Sequence, residues 1–332
     1  MPVTLQEMKK GMTDKLQIQM VDEMTRESQV LELMGFDNCI SPGTGSTLTY
    51  GYMQTELPSA TGFRALNTEY TATEATVTRK TVDLKIFGGA FELDRVIKEA
   101  EGRYNNMAFQ LREKILSAIG TFHDTMINGD SAGGEAGTAT QFDGLDKMLV
   151  GKTTEMNTGK VIDLSTITAI RANADEFYEM MMKLMNDTDA DAIMVSGDMK
   201  TKIQTAARLL GYKTDSEMAF GRQVETINGK RMITLGNVYS VESAARKSAE
   251  IIGKKNRTVD GSPQTGLTDI FAVKFDVFNG FHGITLTGAS GVRAYLPDFN
   301  TPGAVKKGEV EMVAAVALKN TKHAGVLRNI KI

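Results

Sequence analysis

The chain has 332 residues, of which 41% are hydrophobic and 24% are charged, a balance typical of a globular protein with about two domains. Its formal net charge of −3 excludes an overall basic field that would attract nucleic acid or an anionic membrane. A single cysteine excludes an intramolecular disulfide, three histidines leave few metal ligands, and no apolar run approaches the roughly 20 residues of a membrane span.

The N-terminal stretch of residues 2–34 mixes charged side chains with apolar ones at near-helical spacing. Met20 and Met24 occupy two of the apolar positions. One or two ordinary amphipathic helices explain this pattern, and so does an arm that crosses to another subunit. The stretch has no signal-peptide core, so we expect synthesis in the cytosol.

Residues 41–88 are rich in Thr and Gly and alternate apolar with polar side chains, which predicts two strands. Tyr50 and Tyr52 share one parity in the first of these strands. The connection between the strands is polar and small around three larger side chains: Phe63, Arg64 and Leu66. A two-stranded ribbon of this length has no core of its own and is marginal in water. The stretch is therefore either a disordered surface loop or a ribbon that something outside it covers.

The strongest structural signal is an amphipathic helix over residues 101–128. Its apolar positions are Tyr104, Met107, Ala108, Leu111, Ile115, Ala118, Ile119, Phe122 and Met126. We expect four of them to form its core face: Met107, Leu111, Ile115 and Phe122. At 1.5 Å per residue the helix is roughly 40 Å long, enough to join separate lobes. It stops at Asn128-Gly129, where we expect a left-handed glycine, and a Gly-rich loop then returns to an apolar anchor at Phe142.

The remainder of the chain predicts a mixed α/β arrangement. A helix over 166–185 precedes a buried strand at 192–195, and a second helix follows that strand directly. The Asn-Gly pair at 228–229, between alternating apolar residues, is the strongest short-range signal for a hairpin. A nearly all-apolar strand over 308–318 indicates burial on both faces, and a shorter strand at 323–330 follows it.

The sequence contains no complete motif for catalysis, a cofactor or a metal. The loop after the long helix is similar to the nucleophile loop of chymotrypsin-like proteases, except for an alanine inserted between Ser131 and the glycine pair. The histidines lie in no nucleophile-base motif: His123, His282 and His323. Three aspartates have the alternate spacing of a calcium loop: Asp187, Asp189 and Asp191. They lack the glycine and the bidentate glutamate that this loop requires, so we predict no catalytic residue, no cofactor and no metal.

Four features follow one another here: the long helix, the Ile-Asn-Gly-Asp stretch at its end, the Gly-rich loop and the Phe-Asp-Gly-Leu stretch at 142–145. Together they resemble the spine-helix region of major capsid proteins from tailed phages, of the Hong Kong 97 type. The order of the other elements is similar over most of the chain. The resemblance implies an α+β fold with four parts. They are an N-terminal arm (1–42), an extended β-ribbon loop (43–88), a peripheral domain with the spine helix (89–152 and 301–332) and a mixed α/β axial domain (153–300).

The resemblance also implies a function, that of a major capsid protein forming pentamers and hexamers of an icosahedral shell around double-stranded phage DNA. The implied partners are other copies of the chain, a separate scaffolding protein, a portal, and DNA through weak non-specific contact, with no membrane. The implied location is the virion, after assembly in the host cytoplasm. The candidate contacts between subunits are Tyr50, Tyr52, Phe63, Arg64, Leu66, Met20 and Met24.

Some capsids of this type join their subunits through an isopeptide bond from a lysine in the extended loop. Residues 46–78 contain no lysine, so we do not expect such a bond here. Two other functions fit the sequence. One is an encapsulin shell protein, which shares the fold and encloses cargo enzymes, and the other is an α/β enzyme built on residues 153–300.

Overall fold

The computed structural model describes residues 28–41, 45–57, 59–100, 106–132, 140–212, 215–219, 222–242, 245–286 and 292–332. The helices in this part of the chain are α1 (Gln29–Leu33), α2 (Arg95–Glu99), α3 (Asn106–Asn128), α4 (Leu145–Met148), α5 (Ile167–Thr188) and α6 (Gly197–Leu209), with a 3-10 turn at Thr321–His323. The strands are β1 (Phe36–Asn38), β2 (Ile40–Ser41), β3 (Gly45–Ser46), β4 (Thr49–Leu57), β5 (Thr76–Asp83), β6 (Lys85–Asp94), β7 (Glu155–Met156), β8 (Ile162–Asp163), β9 (Ala192–Val195), β10 (Asp215–Ala219), β11 (Arg222–Ile227), β12 (Lys230–Thr234), β13 (Asn237–Glu242), β14 (Ala245–Glu250), β15 (Lys255–Val259), β16 (Ser262–Val273), β17 (Phe281–Thr285), β18 (Val292–Tyr295), β19 (Val305–Leu318) and β20 (Ala324–Lys331).

The first sheet is built around the long strand β19. This strand pairs antiparallel with β6, β17 and β18, and β1 joins β17 in parallel. The pairing with β6 runs from Val305↔Asp94 to Ala314↔Lys85. A Cβ at Gly308 would lie 2.4 Å from the ring of Phe91 on β6, so only glycine leaves room for that ring.

The second sheet is mixed and is covered on both faces. Its order is β10-β11-β12-β9-β16-β20-β7, with β15 beside β16 and β8 beside β20. The predicted hairpin at 228–229 is confirmed, since both residues have left-handed φ values, of 49° and 74°. On β9, Ala192 and Met194 belong to the core shared with α3, whereas Ile193 and Val195 belong to the core beneath α5 and α6. This burial on both faces explains the uninterrupted apolar run of the strand.

The predicted long helix is present as α3, which packs against β6, β13 and β19. Burial along it is uneven. Phe122 is 0% exposed, whereas Met107, Leu111 and Ile115 are only half-buried within the described subunit. The helix therefore contributes to the core of its own subunit mainly through its C-terminal half.

Phe122 lies at the centre of an aromatic cluster. Its ring centroid is 6.2 Å from that of Phe36, 6.1 Å from that of Phe87 and 5.9 Å from that of Phe142. These rings come from β1, from β6 and from the end of the Gly-rich loop. The cluster thus joins the start of the described chain, the first sheet and the predicted loop anchor to α3.

The helix ends at Asn128 as predicted, but the expected left-handed glycine is wrong. Gly129 is not among the glycines with positive φ. A Cβ on Gly129 would lie 2.3 Å from the carbonyl oxygen of Phe142, and one on Gly144 would lie 2.6 Å from that of Ile127. Glycine is needed because the two ends of the loop meet there, where the Gly144 N–H donates to the Gly129 carbonyl at 2.8 Å.

The two sheets do not follow the segments of the predicted domains. β17 and β18 lie inside the segment 153–300 yet belong to the first sheet, and β20 lies inside the segment 301–332 yet belongs to the second. β6 begins at Lys85, inside the predicted ribbon 43–88, and is also part of the first sheet. Periodicity identifies a strand but not its distant partner, so the sequence does not show to which sheet each of these strands belongs. The division into four domains otherwise stays a prediction.

Candidate functional site

The ribbon of β4 and β5 is the most unusual surface feature of the described chain. The strands pair from Thr49↔Asp83 to Leu57↔Thr76. The connection over residues 59–75 is exposed at every position, with Phe63 110% and Leu66 87% exposed. Large apolar side chains at this exposure cost free energy in water unless another surface covers them.

The tip of the ribbon is a defined turn. The Arg64 guanidinium donates to the carbonyl of Thr68 at 3.2 Å and lies 5.3 Å from the ring centroid of Tyr70. Arg64 thus makes its contacts within the turn, whereas the Phe63 and Leu66 side chains are exposed to solvent. The tip therefore presents apolar groups on a folded loop.

The root of the ribbon is attached to its own subunit by polar contacts. The Tyr52 hydroxyl donates to the carbonyl of Leu318 at 3.2 Å, and the Gln54 amide donates to that of Lys319 at 3.0 Å. The Tyr50 hydroxyl donates to the Asp37 carboxylate at 2.6 Å. Sequence reasoning placed Tyr50 and Tyr52 at the contact between subunits. The structure shows both side chains bonded within the subunit, to β19 and β1, and their role between subunits stays a prediction.

The two faces of the ribbon consequently differ. The inner face carries the tyrosines and is partly buried, whereas the outer face carries Met53, 70% exposed, and Val77, 51% exposed. Phe63, Arg64 and Leu66 stay predictions as contacts between subunits. Met20 and Met24 lie outside the described residues.

Ser28, at the start of the described residues, makes a contact that the sequence did not predict. Ser28 Oγ lies 2.7 Å from His123 Nε2 on α3, and it also accepts the Leu31 N–H at the start of α1. Burial lowers the pKa of His123 to about 4, so the ring is neutral at neutral pH. Because His123 is buried and the hydroxyl caps a helix, the pair anchors the chain rather than activating a nucleophile.

Two of the other sequence candidates, the loop of Ser131 and Asp189, are held by ion pairs. Lys147 lies 2.7 Å from Asp130 and 2.7 Å from Asp143, and so closes the loop that holds Ser131. Asp189 pairs with Lys274. In the part of the chain that the structure describes, no three His, Cys, Asp or Glu side chains converge in a way that could hold a metal ion. None of the helices in that part is long and apolar enough to cross a membrane.

A depression of about 420 Å³ lies between the end of α3 and the second sheet. Its charged side chains are already paired with one another. Arg328 binds Asp146 and Glu155, and Arg257 binds the buried Asp269 through two contacts of 2.6 and 2.5 Å. Burial raises the pKa of Asp146, but its cationic neighbours outweigh burial and hold that pKa below the ordinary value. The network joins α4 to the second sheet and is a structural junction.

Comparison with solved structures finds the same fold in shell proteins. The SrpI encapsulin from Synechococcus elongatus PCC 7942 is similar with a TM-score of 0.59 at 12% identity, over 91% of this chain and 87% of that one. The capsid of a native GTA particle gives a TM-score of 0.55 at 12% identity, over 94% and 91% of the two chains. A chain from Microbacterium phage Oxtober96 gives 0.58 at 10% identity, over 100% of both.

No family model and no curated protein sequence matches the chain. At such low identities, the similarity to solved structures is a statement about the fold. The chain has the Hong Kong 97-type fold of capsid and encapsulin shell proteins over nearly its whole length, which confirms the predicted α+β class and the predicted resemblance.

Proposed function

We propose that this protein is the major capsid protein of a tailed bacteriophage, which assembles into pentamers and hexamers of an icosahedral shell around double-stranded DNA. The observation that carries this proposal is the ribbon: a folded, apolar tip that extends beyond the core of its own subunit, on a chain with a shell-protein fold. Fully covering a side chain such as Phe63 yields about 1.5–3 kcal/mol, and a shell repeats each such contact many times.

The proposed partners follow from the proposed function. They are other copies of the chain, a separate scaffolding protein, a portal and the packaged DNA, in a virion assembled in the host cytoplasm. We propose no enzymatic activity, because Lys147 closes the loop of Ser131, the Ser28 hydroxyl caps a helix and the Glu155 carboxylate pairs with Arg328. The net charge of −3 is compatible with a wall that contacts the packed genome weakly.

An encapsulin shell protein is the second candidate, supported by the TM-score of 0.59 with an encapsulin. The two candidates predict the same closed shell and differ in what it contains. Nucleic acid in particles purified from the native source would favour a phage capsid, whereas an enclosed enzyme would favour an encapsulin.

Negative-stain electron microscopy and light scattering of the purified chain test the shell proposal. We expect closed particles, or rings of five and six, and we expect a variant lacking residues 56–70 to lose them. Phe63→Ser with Leu66→Ser should have the same effect, because it removes the apolar tip without shortening the ribbon. Thr71→Ser, at an exposed polar position of the same loop, is the matched control and should assemble.

A full-length chain that stays monomeric with crowding agents and with co-expressed proteins of its own genome would contradict the proposal. Unchanged assembly after removal of the tip would contradict the role given to the ribbon. Circular dichroism of each variant separates these results from a failure of the subunit to fold.

A further inference from the structure

The root of the ribbon packs against a buried histidine to which the shell proposal assigns no role. His282, on β17, is 0% exposed, and its ring meets that of Tyr50 edge-on, with centroids 5.9 Å apart and an interplanar angle of 72°. Tyr50 is the residue whose hydroxyl donates to Asp37. The ribbon, β1 and β17 therefore meet at one cluster of side chains.

The surroundings of the His282 imidazole do not favour a second proton. Nδ1 lies 3.4 Å from the carbonyl oxygen of Gly280, while Nε2 has no hydrogen-bond partner among the described residues. Lys319 carries a positive charge into the same cluster, with its Nζ 5.6 Å from the Tyr50 ring centroid and 4.0 Å from Asp37. An imidazolium here would be a buried cation beside another cation, with one N–H unsatisfied.

The charges around the ring act in both directions. Burial lowers the pKa of His282, and Lys319 lowers it further. The Gly280 carbonyl, Asp37 and Asp276 raise it, without reversing the net direction.

The remaining titratable neighbours keep one protonation state across mildly acidic and neutral pH. Burial raises the pKa of Cys39 to about 11, and burial and Asp37 raise the pKa of Tyr50. Burial raises the pKa of Asp37, but the hydrogen bond from Tyr50 and other contacts outweigh it, so this carboxylate stays ionised. Among these groups, His282 is therefore the candidate for protonation as the pH falls.

We propose that the ribbon root is a proton-sensitive attachment, in which protonation of His282 releases the ribbon from its own subunit. Moving Tyr50 away uncovers one side of the ring, and water can then accept the second N–H of the imidazolium. The ribbon is the element free to move, since it has no core of its own and its root is held by single hydrogen bonds.

The direction of the effect follows from linkage. Burial is the largest cause of the lowered pKa of His282, so release of the ribbon, which admits water to the ring, raises that pKa toward its ordinary value of 6.5. The released state therefore binds more protons, and the attached state loses stability as the pH falls below about 6.5. The largest possible shift is about tenfold in the attachment equilibrium at pH 5.5. Attachment and release of the ribbon occur within one subunit, so this proposal does not depend on whether the chain builds shells.

Hydrogen-deuterium exchange of the full-length chain at pH 7.5 and pH 5.5, corrected for intrinsic rates, tests the proposal. In the wild type, amides of β4 and β5 should lose up to about tenfold in protection at pH 5.5, while those of β9 and β16 should not. His282→Asn keeps an N–H near the Gly280 carbonyl but cannot titrate, so its ribbon should be equally protected at both pH values. Equal protection in the wild type, or the same acid loss in His282→Asn, would overturn the proposal.

Two further variants keep the test decisive if His282→Asn does not fold. Lys319→Gln removes the cation that opposes an imidazolium, so the ratio of protection between the two pH values should become smaller than in the wild type. His123→Asn is the matched control, because His123 is also a buried neutral histidine but contacts Ser28 rather than the ribbon. An unchanged ratio in Lys319→Gln, or its loss in His123→Asn, would assign the acid response to another group.

Discussion

Phe122→Ala is expected to destabilise the subunit by about 4 kcal/mol, in the middle of the range for buried aromatic residues. The side chain is 0% exposed and packs against three aromatic rings with centroids 5.9 to 6.2 Å away. Each such ring pair adds about 0.5–1.5 kcal/mol beyond area burial. Leu111→Ala, on the same helix but half-buried, should cost about 1 kcal/mol.

Urea unfolding of unassembled protein, followed by far-UV circular dichroism, measures both changes. The pair also tests function, since the half-buried end of α3 is available to a neighbour in a shell. Leu111→Ala should therefore lower assembly in light scattering more than its effect on stability accounts for. A cost below about 2 kcal/mol for Phe122→Ala, or equal costs for the two variants, would refute the conclusion that the helix supports its own core through its C-terminal half.

Three other substitutions test separate contacts. Arg328→Met should lower stability in urea by about 3 kcal/mol, because it leaves the buried Glu155 carboxylate without its cation, and adding Glu155→Gln should recover part of the loss. Full stability of the single variant would contradict this. Tyr50→Phe removes a charge-assisted hydrogen bond to β1 and should reduce exchange protection of β4 at least tenfold, a result that unchanged protection would exclude. Gly308→Ala places a Cβ against an aromatic ring and should cost about 1–3 kcal/mol in thermal unfolding, whereas Gly159→Ala, with nothing within 4 Å, should be nearly neutral.

The ribbon shows which features of a candidate functional site can be predicted from the sequence. Alternation placed Tyr50 and Tyr52 on one face, and they do share a face. It could not tell which face meets the subunit, because both sides of an isolated ribbon are equivalent until something packs against one of them. Leu318 and Asp37 accept hydrogen bonds from the tyrosines but lie outside the ribbon in the sequence, so no local sequence pattern predicts these contacts.

The same limit applies to α3. Its 3.6-residue period predicted the helix, and the Asn128-Gly129 pair predicted its end at Asn128. The period did not reveal that Phe122 is buried while Met107, Leu111 and Ile115 are only half-buried. An apolar stripe has the same pattern in the sequence whether its own subunit or another surface covers it.

By itself, the sequence determined the local elements: the long helix, the hairpin at 228–229, the continuous apolar strands and the order that resembles a shell protein. These depend on periodicity and turn chemistry, which act between residues a few positions apart. Tertiary structure alone decided the sheet to which each strand belongs, the inward direction of Tyr50, and the contacts of His282 and Arg328. Those features depend on contacts between residues far apart in the chain, whose burial and charge are set only when the chain has folded.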